Sequence, residues 1–197
     1  MGLDPYLLSF IGASLSINES VTIAEVYFEL KDWDAVKAKV KGENLIQART
    51  KSSLRRVYQE LSPRLQALSI AQLELLVEGN YQEKKQLLWF AICKRYVFIR
   101  ELAIEVLHEK YLRLDYELTE FDYEAFFNRK ADWHPELDKL EDTTRKKIRQ
   151  RVFWLLRESD LITDGRIIIP TILSNRVIKA LAPDAPMSYQ IFPIPAF

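Results

Sequence analysis

The segment TTRKKIRQRVFWLLRESDLITDGRIII, residues Thr143–Ile169, decides the fold that we predict for this chain. Val152, Leu155 and Leu156 follow Ile148 at helical spacing and give its first half one apolar side, while the opposite side is basic. Its second half places Asp-Gly between LIT and RIII, a dipeptide typical of a two-residue β-hairpin turn. A basic amphipathic helix followed by a tight hairpin is the order of elements in a DNA-binding winged helix.

The same pattern has an ordinary structural interpretation, in which the basic residues form a solvated face and the hairpin only closes a core. The charge distribution favours a functional interpretation, although 28 basic and 28 acidic residues give a net charge of zero. Residues 31–64 contain nine basic and four acidic residues, and residues 143–181 contain nine basic and three acidic residues. Between these two basic zones, residues 101–142 contain five basic and thirteen acidic residues. Because salt screens charges over roughly 8 Å, two basic zones can act as local patches in a neutral protein.

The rest of the sequence predicts an all-α, mainly helical protein with a small C-terminal β-hairpin. We expect a helix-turn-helix-like part over residues 1–80 and a long apolar central helix over residues 81–113. A winged-helix-like part over residues 114–182 and a proline-rich, extended tail with exposed aromatic residues over residues 183–197 complete the chain. The connection over residues 42–50 is longer than the turn of a typical helix-turn-helix.

Residue composition argues against several classes of protein. The single cysteine, Cys93, excludes an intramolecular disulfide, and His108 has no second histidine at metal-binding spacing. We find no nucleophile, phosphate-loop or cofactor motif, so we predict no catalytic residue, metal or cofactor and no enzymatic activity. The apolar stretch over residues 86–107 contains five charged residues, too many for a membrane span. The first residues lack a basic export signal, so we expect a cytoplasmic protein.

Two segments are candidates for DNA binding. In the first, arginines and lysines alternate with small hydroxyl donors suited to phosphate oxygens, although a helix cap followed by a solvated basic turn explains it equally well. In the second, the helix offers cations and a glutamine to a groove, and the turn offers one arginine to a nearby phosphate. The predicted DNA-binding residues are Arg49, Lys51, Ser52, Ser53, Arg55, Arg56, Arg145, Lys146, Lys147, Arg149, Gln150 and Arg166.

The four tryptophans are expected to pack in the core, because base stacking would need exposed rings on a basic surface. Only Trp154 falls on the polar side of its helix. We expect it to pack under the C-terminal tail or a neighbouring helix.

Long ordered segments of the chain resemble the BrxA family of the bacteriophage-exclusion (BREX) defence systems. The resemblance implies a helical protein with helix-turn-helix-like or winged parts that binds duplex DNA. It also implies a gene beside those of a site-specific DNA methyltransferase, a phosphatase-like protein and a large ATPase, and it offers no catalytic motif. The segments are QARTKSSLRRVYQELSPRLQAL, LELLVEG, LLWFAICKRYVFIRELAIEVL and KADWHPELDKLEDTTRKKIRQRVFWLLRESDLI.

Together these features predict a non-enzymatic, double-stranded DNA-binding accessory protein of an anti-phage system. It would dock electrostatically through both basic zones, with little sequence specificity and no membrane contact. The methyltransferase, the phosphatase-like protein and the ATPase would be its further partners. Two alternatives remain open: a protein-interaction scaffold that uses the acidic middle and the tail, and an RNA-binding, antitermination-like factor.

Overall fold

The computed structural model describes residues 4–12 and 14–195, and these residues form an all-α protein. Short 3₁₀ turns occupy Ser9–Gly12 and Ala182–Asp184, and a π-helical turn occupies Ala103–His108. The α-helices are α1 Ile17–Leu30, α2 Trp33–Glu43, α3 Lys51–Gln66, α4 Ile70–Glu78, α5 Tyr81–Arg95, α6 Val97–Leu102, α7 Glu109–Leu112, α8 Glu120–Ala131, α9 Pro135–Asp138, α10 Asp142–Glu158, α11 Asn175–Leu181 and α12 Met187–Gln190.

Local sequence fixes where several helices begin. Capping boxes start α3, α4, α5 and α8, where the side chain of Thr50, Ser69, Asn80 or Thr119 accepts a hydrogen bond from a backbone N–H three residues later. Each cap satisfies a donor that the first helical turn leaves unpaired, which stabilises a helix by about 1 kcal/mol.

The central helix that we predicted over residues 81–113 is interrupted at Tyr96. The backbone there leaves the helical region, with φ −115° and ψ 98°, so α5 ends at Arg95 and α6 begins at Val97. The phenol at this break donates a hydrogen bond of 2.8 Å to Glu60 of α3. The buried apolar residues of α5 and α6 belong to one hydrophobic cluster that extends from Tyr6 to Ile194. None of the helices over residues 4–12 and 14–195 is long and apolar enough to span a lipid bilayer.

The prediction of an extended C-terminal tail is wrong for residues 183–195. This segment forms α12 and then runs along the core, where Ile191 and Phe192 are fully buried. The indole Nε1 of Trp89 donates to the carbonyl of Ile191 at 2.9 Å, and Nδ1 of His108 lies 2.7 Å from the carbonyl of Phe192. Apolar residues between the prolines therefore close the core, while the last aromatic residue of the tail, at position 197, lies outside the described residues.

The predicted β-hairpin is not formed as a pair of strands. Within the described residues the segment contributes only two isolated antiparallel bridges, Ile162 with Ile168 and Ile167 with Glu117. The positive φ angle of the turn falls on Arg166 at 64°, whereas we expected it at Asp164-Gly165. The N–H of Arg166 donates back to the carbonyl of Thr163 at 2.9 Å, which closes a tight turn. The segments on either side are joined by hydrogen bonds from the Thr163 N–H to the Ile167 carbonyl and from the Ile169 N–H to the Leu161 carbonyl.

The burial of Phe192 predicts that the C-terminal segment stabilises the whole fold. Phe192→Ala should lower the free energy of unfolding by about 3–5 kcal/mol, because the side chain leaves a cavity in a packed core. Phe121→Ala is the matched control, since the Phe121 side chain is 80% exposed. Urea denaturation measures both, and equal stability of the two variants would contradict the packing described here.

Candidate nucleic-acid interface

A buried arginine fixes the N-terminal segment against α3. Arg64 is only 2% exposed, and its guanidinium donates to the carbonyl of Ser14 at 2.8 Å. It also lies 3.9 Å from the carboxylate of Glu60 and 3.5 Å from the hydroxyl of Tyr96. Because these partners belong to different parts of the chain, the Ser9–Gly12 turn is held beside α3.

The same segment also contacts α10. The N–H of Leu15 donates to the carboxylate of Glu158 at 2.9 Å. Ile11 lies beside the solvent-facing residues of α10, including Arg151. The Ser9–Gly12 turn is thus flanked by the two helices that carry the predicted DNA-binding residues.

Positive charge accumulates without counter-charge on α2 and α3. Lys41 lies 5.1 Å from the ring centroid of Tyr58, and burial lowers the pKa of its ammonium. The neighbouring charges of Lys37 and Arg55 lower the pKa of Lys41 further, so the three cations share one surface. We define the α2–α3 cationic surface as the basic residues here that pair with no carboxylate in the described part of the chain: Lys37, Lys41, Arg49, Lys51, Arg55 and Arg56.

The predicted hydroxyl donors of this zone differ in their availability. Ser53 belongs to the capping box of α3, where its hydroxyl donates to the carbonyl of Thr50 at 2.9 Å and accepts from the Thr50 N–H at 3.1 Å. Ser52 is exposed beside Lys51 and remains accessible to a ligand.

On α10, the arginines that face α8 are already paired. Glu124 lies 3.3 Å from the guanidinium of Arg145 and 2.9 Å from that of Arg149. Glu120 lies 3.2 Å from Arg149 and 2.7 Å from Arg166, the predicted contact in the turn. The hydrogen bond from Arg166 lowers the pKa of Glu120, and the charge of Arg149 lowers it further. Three of the predicted DNA-binding arginines are therefore paired with two carboxylates of α8.

The solvent-facing side of α10 is different. Its residues and the Ser9–Gly12 turn form an open groove of about 570 Å³. The guanidinium of Arg151 lies 4.3 Å from the ring centroid of Trp154. We expected this tryptophan under the C-terminal tail or a neighbouring helix; it is half-buried and lines the groove beside Ile11 of the Ser9–Gly12 turn. We call this site the α10 groove, and its lining residues are Ile11, Lys147, Gln150, Arg151, Trp154 and Arg157. Lys146, which precedes Lys147, is exposed.

Carboxylates and histidines do not assemble a metal centre in the described ranges. No group of three histidine, cysteine, aspartate or glutamate side chains there is placed to hold an ion. The two histidines instead make internal contacts: His134 lies 2.9 Å from Glu136, and its ring stacks on Tyr6 at 3.8 Å.

Comparison with known proteins assigns the family. The sequence model of the BrxA family matches residues 4–184, which include α1–α11 and both basic zones. The chain belongs to the BrxA family. The "BREX protein BrxA" of Escherichia coli O9:H4 (strain HS) is 24% identical over 156 residues, which cover 79% of this BrxA-family chain and 73% of the relative. The protein of the same name from Bacillus cereus (strain H3081.97) is 26% identical over 131 residues, 66% of each chain.

The BrxA-family fold also has a counterpart among solved structures. The crystal structure of an uncharacterized protein from Magnetospirillum magneticum superposes with a TM-score of 0.83, covering 96% of this chain and 100% of that chain. At 20% sequence identity the likeness concerns the fold alone.

The pairing of Glu120 predicts a pH-dependent contribution to stability. A carboxylate whose pKa is lowered on folding stabilises the protein above its unfolded pKa, and that stabilisation is lost as the pH falls through the folded pKa. Glu120→Gln should therefore be less stable than wild type at pH 7, by about 1 kcal/mol or less for this exposed pair. The difference should disappear in urea titrations carried out well below the ordinary glutamate pKa of 4.5. A difference that stays constant with pH would show that the ion pairs do not stabilise the fold.

Proposed function

We propose that this BrxA-family chain is a non-enzymatic, duplex DNA-binding accessory protein of a BREX anti-phage system. The observation that carries the proposal is the α2–α3 cationic surface, where six basic side chains have no carboxylate partner among the described residues. The charges of Lys37 and Arg55 act on Lys41, and a phosphate backbone bound there would relieve this repulsion and release its own counterions. The relatives named "BREX protein BrxA" support the defence role.

The arrangement around α10 supports a second contact with the same duplex. An isolated bridge at Glu117, then α8, then α10, then the tight turn at Thr163–Arg166 follow one another in the order of a winged helix. In that arrangement α10 takes the place of the recognition helix. Its exposed Lys146, Lys147 and Gln150 would approach the groove of the duplex.

The paired arginines would act differently from the unpaired cations. Arg145, Arg149 and Arg166 each contact Glu120 or Glu124, so a phosphate has to displace a carboxylate before any of them can bind it. The exchange gains little free energy, since one anion replaces another. We therefore place most of the affinity on the α2–α3 cationic surface. Because cations that bind phosphate oxygens do so whatever the base, we expect little sequence preference.

A second candidate function is a protein-interaction scaffold in the same defence complex. Exposed rings beside the acidic middle favour it, since Phe121 is 80% and Trp133 72% exposed. The methyltransferase, the phosphatase-like protein and the ATPase of the system would then be its partners. The tail supplies little of that surface, because residues 191–194 are buried in the core.

Salt dependence tests the electrostatic docking directly. Wild type should bind a 20-base-pair duplex with a log-log salt slope of about −4 to −6, and Arg55→Gln/Arg56→Gln should reduce its magnitude by about 2. The matched control is Arg113→Gln/Arg129→Gln, which removes the same net charge from ion-paired arginines facing Glu109 and Glu105.

Fluorescence anisotropy over a salt series measures both slopes. Equal slopes for the two double variants would show that net charge, and not the α2–α3 cationic surface, governs binding. A structured RNA of equal length serves as competitor, and its preferential binding would favour the RNA-binding alternative.

A further inference from the structure

The aromatic and aliphatic walls of the α10 groove have a chemistry that duplex docking does not use. Its walls combine an aromatic ring, an aliphatic residue and cations, whereas a duplex phosphate requires only cations. The groove is open, and its volume of about 570 Å³ leaves room for one nucleotide without enclosing it. We propose that this groove binds a nucleotide of single-stranded DNA, with the base against Trp154 and Arg151 and the phosphate against Lys147 and Arg157.

The stacking surface favours an unpaired base. The guanidinium of Arg151 lies over the ring of Trp154 with 4.3 Å between the guanidinium carbon and the ring centroid, so the two groups form a stack that an unpaired base can extend. Unstacked bases bind to aromatic rings and to the planes of arginine side chains. A base inside a duplex is covered on both faces by its neighbours and cannot use such a platform.

The charges of the groove favour a phosphate beside that base. Arg151 pairs with no carboxylate within hydrogen-bond range among the described residues, and Lys147 is exposed and unpaired there. Arg157 has only a long contact of 3.8 Å to Asp164, which is fully exposed and therefore a weak partner. Burial lowers the pKa of the Arg151 guanidinium, and the charge of Arg64 lowers this pKa as well. The charge of Glu158 acts in the opposite direction. The site is thus short of negative charge.

Helical spacing presents these groups together. Lys147, Arg151 and Trp154 are separated by four and three residues, which places them on one side of α10. Ile11 of the Ser9–Gly12 turn adds an apolar contact opposite that side. The inference deepens the proposed function: the α2–α3 cationic surface would hold duplex DNA, and the groove would hold an unpaired strand.

The test compares a fluorescent 15-mer of oligothymidylate with a 15-base-pair duplex, both titrated into the full chain. Trp154→Leu should weaken oligothymidylate binding about 10-fold, within the range measured for loss of one stacked base. It should also abolish the quenching of tryptophan fluorescence by the oligonucleotide. Trp133→Leu is the matched control, since Trp133 is 72% exposed on another surface, and it should bind like wild type.

Arg151→Lys is a second variant, which keeps the positive charge but removes the planar guanidinium group. It should weaken oligothymidylate binding several-fold. Thermal unfolding identifies the variants that remain folded, and Arg151→Lys decides the matter if Trp154→Leu does not fold. The proposal is overturned if wild type does not bind oligothymidylate, or if the folded variants bind it like wild type. The duplex titrations test the proposed function separately. Duplex binding should be lost in Arg55→Gln/Arg56→Gln but retained in Trp154→Leu, whatever the outcome with oligothymidylate.

Discussion

The buried guanidinium of Arg64 is the contact on which the arrangement of the surfaces depends. A charge that is 2% exposed is costly unless it is paired. Here the guanidinium donates to the carbonyl of Ser14 and lies near Tyr96 and the carboxylate of Glu60, although its buried Nη2 makes no hydrogen bond among the described residues. These contacts hold the N-terminal segment beside α3, and Glu158 holds the same segment beside α10. The position of the Ser9–Gly12 turn between α3 and α10 follows from this junction.

The location of the counter-charges then decides which cations are available to a ligand. The acidic middle of the chain supplies Glu120 and Glu124, and these neutralise the side of α10 that faces α8. No carboxylate among the described residues pairs with the α2–α3 cationic surface. A protein of zero net charge therefore keeps one exposed, strongly basic surface and one basic-aromatic groove, which together support its proposed association with DNA.

The sequence predicted the features that depend on local patterns. The apolar stripe of α10, the caps of α3 and α8 and the all-α class follow from periodicity and capping residues. The long-range features were missed. The break at Tyr96 serves a hydrogen bond to Glu60, 36 residues away, and the contact between Arg149 and Glu124 joins positions 25 residues apart. The sequence indicates one part of the α10 groove, because Arg151 and Trp154 are three residues apart and so share one helix face.

Protection of lysines by bound DNA tests the central claim most directly, namely that the α2–α3 cationic surface and the α10 groove engage the same DNA. Acetylation of the full chain, with and without a saturating duplex that ends in a single-stranded overhang, is quantified by mass spectrometry at each lysine. The account predicts joint protection of Lys37, Lys51 and Lys147, with no change at Lys179, which is exposed on α11. Protection confined to one region, or equal protection of Lys179, would contradict it.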